Sequence, residues 1–299
     1  MQVSTSRFYD RAAAGMGGLQ ARANEMQERI STGKRLDAPS DDAVAYAKLQ
    51  GLARAKVDDG TNSANLSVAA SVLAQGDGVL SAVTDRLQQA SELAVRAANG
   101  TMTAADRRAI GAEMEGVLAS LVELANATDP RGLPLFGGAD GGRAAVKQAD
   151  GSYALAAIAP SAIPVGPGED VRASEPASRV FGFAGKNGPT DAIAAVQALI
   201  AALNTNDAAA IGTGVDDLKG ATEQVTTMQA SLGARAARVE IAQARLTETA
   251  TDREEARSAL EDADIVATAT ELQKTMTILQ ATQASFAKLS SLSLFDYLR

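Results

Sequence analysis

Apolar residues recur at intervals of three and four near the start of the chain. This spacing places their side chains on one face of an amphipathic helix. Gly33 follows the last of them, and a glycine just after a periodic stretch is typical of a helix end. The pattern therefore predicts a first helix that ends at Gly33. Its apolar positions are Met16, Leu19, Ala23, Met26 and Ile30.

A second helix start is indicated after the connector that runs from Lys34 to Pro39. We expect Ser40 to cap this helix, because a serine hydroxyl can accept a hydrogen bond from a free backbone N–H of the first turn. The carboxylates of Asp41 and Asp42 would complement the positive end of the helix dipole. Apolar residues then keep a helical spacing over about nine turns, from Leu66 to Ala97, before an Asn-Gly pair stops the pattern.

The middle of the chain changes in character. We expect Thr103 to be the N-cap of a shorter helix. This helix should end before a turn at 129–132. Between about Gly137 and Pro189 the sequence shifts to Gly, Pro and short β-favouring segments, such as 144–147 and 179–183. We therefore predict a small strand-and-loop insert in this region.

Helical spacing returns at Asp191, pauses around Gly212 and Gly214, and resumes to the end of the chain. In the last stretch apolar residues recur every seven positions, in two blocks that differ in phase and meet near Asp262. We expect a long helix here. The first block is Val225, Leu232, Val239 and Leu246, and the second is Ile265, Leu272, Leu279 and Phe286.

The spacing as a whole predicts a mainly α fold: a long antiparallel helical bundle or coiled coil formed by the N- and C-terminal segments, with a small β-rich insert in the middle. We predict three domains. Residues 1–42 and 255–299 form a terminal coiled coil, residues 43–138 and 190–254 form a helical bundle, and residues 139–189 form the insert. Because short isolated helices are marginal in water, we expect the terminal helix to be ordered only within an assembly.

Composition removes several classes of function. The 299-residue chain has a formal net charge of -8, with Lys and Arg interspersed among acidic residues, which argues against a nucleic-acid partner. It contains no His and no Cys, so the usual general base, the thiol nucleophile and zinc ligands are lacking. We therefore expect neither an enzyme nor a bound cofactor or metal. The acidic runs 252–255 and 261–264 are expected to be solvated helix faces.

The start of the chain has no basic segment followed by an apolar core, so we expect no cleaved secretory signal. No apolar run approaches the length of a membrane span, and we expect no membrane partner. The chain is then either cytoplasmic or exported by a route that reads no such signal.

Four short motifs stand in order along the chain. They are Ile30–Leu36 with Pro39–Asp42, Glu92–Gly100, Leu135–Gly138, and Ser293–Leu298. The chain resembles members of the bacterial flagellin and hook-associated superfamily in all four, and within it the filament-side junction proteins. It departs from the usual motifs at Ala43, where proline is usual, and at Pro134, where tyrosine is usual. The ending Leu-Phe-Asp-Tyr-Leu favours a junction protein over a filament subunit.

The resemblance implies a structural subunit of the bacterial flagellum that links the hook to the filament. In such proteins the terminal helices pair as a coiled coil lining the inner tube, the middle helices surround it, and the insert faces outward. The implied partners are copies of the same chain, the hook-side junction protein, flagellin, and an export chaperone on the C-terminal helix. The chain would leave the cell unfolded through the flagellar type III pathway and work extracellularly.

Three groups of residues are candidates for the assembly site, and no catalytic residue is among them. The expected assembly seam is Leu19, Ala23, Met26, Ile30, Leu272, Met276, Leu279, Phe286 and Leu289. The C-terminal motif adds Leu294, Phe295, Tyr297 and Leu298. The loop and helix-start motif adds Gly33, Lys34, Arg35, Pro39, Ser40, Asp41 and Asp42.

Two alternatives stay open at this point. The chain could be a flagellin, in which case it would be abundant in sheared filaments. In a different class, it could be a coiled-coil adaptor or other binding module, although such bundles lack a Gly-rich insert between two helical halves.

Overall fold

The computed structural model describes residues 2–129, 131–138 and 141–297. These residues form seven helices and three two-stranded antiparallel sheets. The predicted fold class, mainly α with a small strand-containing region in the middle, is therefore confirmed. The helices are α1 Gln2–Thr32, α2 Ala43–Ala97, α3 Ala104–Ala125, α4 Ala177–Phe181, α5 Ala192–Thr205, α6 Ala208–Glu261 and α7 Ile265–Tyr297.

The strands pair as three successive hairpins between α3 and α5. Each strand has three or four residues. Strands this short cannot form a core of their own, so they depend on the helices that they cover. The pairs are β1 Ala145–Lys147 with β2 Tyr153–Leu155, β3 Ile163–Gly166 with β4 Glu169–Val171, and β5 Gly182–Gly185 with β6 Gly188–Asp191.

The chain divides into two compact units. The first combines residues 1–58 with 248–299, and the second is residues 59–247. The first unit therefore joins the two ends of the sequence. The finer division into three domains stays a prediction.

The main hydrophobic core belongs to the second unit. The predicted apolar face of α2, from Leu66 to Ala97, is buried throughout. It meets the apolar faces of α3, α5 and α6, because helices bury a stripe of residues spaced by three and four. The largest fully buried side chains of the four core helices are Leu66, Leu73, Leu80, Leu87, Met114, Ile193, Leu199, Leu203, Ile211 and Leu218.

Two predicted helix starts are confirmed. The Thr103 hydroxyl accepts a hydrogen bond from the Asp106 N–H at 3.2 Å, and the Asp106 carboxylate accepts one from the Thr103 N–H at 3.1 Å. This reciprocal pair satisfies two backbone donors at the start of α3. Asp191 caps α5 by accepting alone: its Oδ1 accepts from the N–H groups of Ile193 and Ala194, both at 2.9 Å.

The predicted pause at Gly212 and Gly214 is wrong. The chain breaks earlier, at Asn206, which has a left-handed backbone with φ 56°, and the Asp207 carboxylate then caps α6. Gly214 lies inside α6 for a packing reason. A Cβ there would come within 2.8 Å of Leu199 Cδ1, so the glycine allows α5 and α6 to approach closely.

The predicted strand at 179–183 is wrong over its first half. Residues 177–181 form the short helix α4, and only from Gly182 is the chain extended. Ala177, Val180 and Phe181 are all buried. Positions i, i+3 and i+4 share one face of a helix, whereas neighbouring residues of a strand point to opposite faces. The helix therefore buries both Val180 and Phe181.

The predicted continuous C-terminal helix is also interrupted. Helix α6 ends at Glu261 and α7 begins at Ile265, where the Asp264 carboxylate accepts from the Ala267 N–H at 2.9 Å. The change of heptad phase near Asp262 coincides with this break. A phase change allows each helix to direct its own apolar stripe towards a different partner.

Among the described residues, α2 is the helix that is long and apolar enough to cross a bilayer by length and composition. The expectation that no apolar run approaches such a length is therefore wrong for α2. Core helices of other proteins pass the same test, and Leu66, Leu73, Leu80 and Leu87 of α2 are fully buried in the core. Packing in the core thus accounts for these four leucines.

Two neighbouring glycines of α6 test this packing. We expect Gly214→Val to lower the free energy of unfolding by about 1 to 3 kcal/mol, because the new side chain collides with Leu199. A Cβ at Gly212 meets open space, so Gly212→Ala should instead raise stability by up to about 1 kcal/mol. Denaturant unfolding of both variants measures the difference. Equal effects of the two substitutions would contradict the assigned role of Gly214.

Candidate functional site: the terminal helix pair

The terminal helices α1 and α7 pack along each other in the first unit. Their antiparallel direction follows from two contacts. The Thr275 hydroxyl lies 3.9 Å from Met26 Sδ, and the rings of Tyr9 and Phe286 meet edge to face with centroids 5.4 Å apart. A later residue of α1 therefore meets an earlier residue of α7. The pair joins the two ends of the sequence in one structural element.

The seam between the two helices is thin. Ala23 and Leu279 are its most deeply buried apolar side chains, at 2% and 4% exposure. Thr275 is also buried, and its hydroxyl donates to the weak thioether acceptor of Met26. The remaining predicted positions on this side are half-buried, and they are Leu19, Met26, Ile30, Leu272 and Phe286.

Met276 lies elsewhere than the sequence suggested. It is 41% exposed, and the neighbouring Thr275 faces α1 in its place. Leu289, Leu294, Phe295 and Tyr297 belong to α7, but their side chains are outside the described part of the chain. Leu298 lies outside the described residues altogether.

Large apolar side chains remain exposed on α7. Val266 is 78% exposed, Ile278 44%, and Ile265 and Met276 each 41%. Apolar groups of this size lower the free energy when they are removed from water. Several of them on one helix mark a surface that another protein can cover.

The connector between α1 and α2 is a set of tight turns. Gly33 ends α1 with φ 71°, and its N–H donates to the Arg29 carbonyl at 2.9 Å. Asp41 Oδ2 then accepts from the N–H groups of Asp37 and Ala38, at 3.0 and 2.9 Å. These two backbone donors lower the pKa of Asp41, with Ala38 the larger cause.

The cap of α2 is Asp42, and the expectation for Ser40 is wrong. Asp42 Oδ1 accepts from the N–H groups of Val44 and Ala45, both at 3.0 Å, and the Asp42 carbonyl accepts from the Tyr46 N–H. A residue with this pattern is the N-cap. Ser40 lies two residues too early to reach those donors. Ala43 is then the first helical residue, a position that also tolerates the proline usual in the resembling proteins.

Lys34 and Arg35 hold the connector against the break between α6 and α7. The Arg35 N–H donates to the Glu261 carbonyl at 2.6 Å, and the Ala263 N–H donates to the Gly33 carbonyl at 2.9 Å. The Arg35 guanidinium also donates to the Leu260 carbonyl at 2.8 Å. We call residues 33–35 and 257–263 the corner clasp. It joins two turns of the chain that are more than 200 positions apart in sequence.

Ion pairs continue the corner clasp. Lys34 Nζ lies 2.6 Å from Glu261 Oε1, and Arg257 contacts the other oxygen of the same carboxylate. Arg257 also reaches Glu254 Oε1 at 2.7 Å, and Lys56 Nζ of α2 lies 3.3 Å from Glu254 Oε2. The expected solvated face is therefore wrong for Glu261, which is 9% exposed.

The charges of the corner clasp shift one another's proton affinity. The hydrogen bond from Lys34 is the main cause that lowers the pKa of Glu261, and it raises the pKa of Lys34 in turn. Hydrogen bonds from Arg257 and then Lys56 lower the pKa of Glu254 to about 2. These shifts keep Lys34, Glu254 and Glu261 ionised at neutral pH, which keeps their contacts intact.

Two of the sequence motifs serve the second unit. Leu135 and Phe136 are buried, and the Phe136 ring meets Phe181 edge to face at 5.8 Å. A Cβ on Gly137 would come within 2.5 Å of the Gly142 carbonyl oxygen, so this position of the Leu-Phe-Gly-Gly motif requires glycine. The motif therefore seals the core beneath the hairpins.

The motif Glu92–Gly100 contains the C-terminal end of α2, and Arg107 binds to that end. Arg107 is 7% exposed. Its Nε donates to the Ala97 carbonyl at 2.9 Å, its Nη2 to the Asn99 carbonyl at 3.2 Å, and its Nη1 to Asn206 Oδ1 at 2.5 Å. A buried cation is well placed on the free carbonyls of a helix end. No sequence pattern indicated Arg107, because its partners lie at the ends of two different helices, α2 and α5.

The chain matches the helical regions of one protein family at both ends. The profile described as the bacterial flagellin N-terminal helical region matches residues 3–140, and the profile of the bacterial flagellin C-terminal helical region matches residues 215–298. Together they include the terminal helix pair and the corner clasp. The stretch from 141 to 214, which contains the hairpins, lies outside both matches.

Individual proteins agree with these matches. The flagellar hook-associated protein 3 of Escherichia coli K12 is 29% identical over 99% of both chains. A flagellar hook-associated protein from Vibrio parahaemolyticus has a similar fold, with a TM-score of 0.67, 20% identity, and coverage of 74% of this chain and all of that one. The flagellar junction protein of Legionella pneumophila has a TM-score of 0.58 at 15% identity, covering 72% of this chain and all of that one.

The assignment of the α2 cap can be tested with a matched pair of variants. Asp42→Ala should lower the free energy of unfolding by about 1 kcal/mol, because the N–H groups of Val44 and Ala45 lose their acceptor. Ser40→Ala should have almost no effect. Denaturant unfolding gives the free energies, and amide exchange at Val44 and Ala45 reports the local change. A cost for Ser40→Ala equal to that for Asp42→Ala would restore Ser40 as the cap.

Proposed function

The chain belongs to the bacterial flagellin family, and from that premise we propose that it is assembled into the junction between the flagellar hook and the filament. It is a structural protein of the flagellum. Its full-length similarity to a hook-associated protein 3 supports the junction in particular. No step of this role requires a reacting group, so the function follows from packing alone.

The observation that carries the proposed mechanism is the terminal helix pair with apolar side chains left on its outside. The seam buries Ala23 and Leu279, while Val266 of α7 stays largely exposed and Ile278 and Met276 stay partly exposed. A pair of long helices gains most of its stability from burying such faces. Neighbouring subunits would cover them, and polymerisation would then complete the core.

The partners follow from a position between two kinds of subunit. Copies of this chain would form the ring, with the hook-side junction protein on one side and flagellin on the other. An export chaperone would cover the C-terminal helix before assembly, since the apolar residues of α7 are exposed there. Export through the flagellar type III pathway would place the chain outside the cell.

A filament subunit is the alternative within the same family. The two roles differ in copy number and place, because a junction protein forms one short zone and a flagellin forms the whole filament. Immunolabelling of sheared flagella decides between them. Label confined to the hook-proximal end supports the junction, and label along the filament would assign the chain as a flagellin.

Leu279→Asp tests the seam. Truncation of a buried leucine costs about 2 to 5 kcal/mol, and the buried charge adds to that cost, so α1 and α7 should no longer pair. We expect the variant to be secreted but absent from flagella, as measured by immunoblotting of the medium and of sheared flagella.

Lys274→Asp is the matched control for that variant. It places the same residue on the same helix at an exposed and already charged position, so incorporation should continue. Normal incorporation of Leu279→Asp would contradict the seam. Loss of both variants from flagella would show that α7 rejects any new acid, which would also remove the support for a specific seam.

A further inference from the structure

The corner clasp holds the turn after α1 against the turn before α7 with few backbone hydrogen bonds. Two N–H···O bonds, Arg35 to Glu261 and Ala263 to Gly33, join the two turns. Each such bond contributes only modestly to stability, because the same groups can bond to water when they separate. Something else must therefore keep the turns together.

Charged side chains supply that contribution. The Arg35 guanidinium donates to the Leu260 carbonyl, and the ion pairs converge on Glu261. One carboxylate oxygen faces Lys34 of the connector and the other faces Arg257 of its own helix. The Glu261 side chain is 12% exposed, whereas Lys34 is 46% exposed. A shielded carboxylate between two cations is bound more firmly than a surface ion pair. Its cationic partner in the connector nevertheless stays open to water.

The seam between α1 and α7 is held differently. Its buried side chains are the apolar Ala23 and Leu279 and the uncharged Thr275. Apolar burial does not depend on ionisation and is not weakened by moderate salt. The turns and the helix pair therefore respond to different conditions.

We propose that Lys34 and Glu261 form a releasable latch: when it is closed, the turn after α1 is fixed to the turn before α7, and when it opens, the two turns separate while α1 and α7 stay paired. The latch is a hinge lock within the first unit. It rests on the geometry of that unit and does not depend on the proposed role in the flagellum.

Near neutral pH, we expect added salt to open the latch. Lys34 is partly exposed, so added ions screen its attraction for Glu261. Acid acts in the same direction, because a carboxylate with a lowered pKa contributes its stability above its ordinary pKa and loses it as the pH falls through the lowered one. The other charged groups around the pair are Arg257, Arg35, Asp37 and Asp262, with Glu254 and Lys56 beyond Arg257.

Amide hydrogen exchange on the full-length chain tests the latch. The reporters are the N–H groups of Arg35 and Ala263, which form the two backbone bonds between the turns. We expect Glu261→Gln and Lys34→Met each to speed exchange at both reporters by at least about fivefold, because each removes one partner of the ion pair. The double variant should exchange no faster than the faster single variant, since either change opens the same latch.

Two controls separate a latch from general loosening. Glu255→Gln removes a charge from the exposed side of α6 and should leave the reporters unchanged. Amides at Ala23 and Leu279 should keep their protection in all variants. An increase in salt to about 0.5 M should speed the reporters in the original chain but not in Glu261→Gln.

Several results would overturn the proposal. They are additive effects of the two single variants, an equal response in Glu255→Gln, an equal salt effect with and without Glu261, or loss of protection at Ala23 and Leu279 in step with the reporters. Lys34→Met changes a half-exposed side chain, so it tests the latch even if Glu261→Gln fails to fold.

Discussion

The pairing of α1 with α7 depends on burying one narrow apolar stripe, and that constraint governs the rest of the first unit. Its most deeply buried apolar residues are the small Ala23 and a single leucine, Leu279. The polar Thr275 is buried one helical turn before Leu279. Helices of 31 and 33 residues cannot be held firmly by such a seam alone. The seam buries too little apolar surface to hold the pair firmly. The exposed apolar residues of α7 can supply further burial when another protein covers them.

The elements could be predicted from the sequence wherever the signal was local. The burial of α2 follows from its spacing, and Thr103 and Asp191 cap helices because their donors are two or three residues away. The sequence alone does not decide which of two nearby acceptors caps a helix. Ser40 and Asp42 are both residue types that are common at a helix N-cap. Gly214 reads as a breaker in sequence, and only the approach of Leu199 shows why a helix needs a glycine there.

The candidate site was predictable in part for the same reason. The row Leu272, Leu279 and Phe286 was visible as a heptad, but such a row has helical neighbours on both sides, at i+3 and i+4. The position of α1 decides that Thr275 faces the seam, and hydrophobicity alone had favoured Met276. The contact of Lys34 with Glu261 spans 227 positions, so no local pattern could have indicated it.

The central claim is that assembly completes the stability of the terminal helix pair. Hydrogen exchange of the purified monomer and of intact flagella, compared over α1 and α7, tests it most directly. We expect both helices to exchange faster in the monomer than the core of α2, α3, α5 and α6, and to exchange much more slowly in flagella than in the monomer. Terminal helices that are as strongly protected in the monomer as the core would contradict the claim, because the pair would then be complete without neighbours.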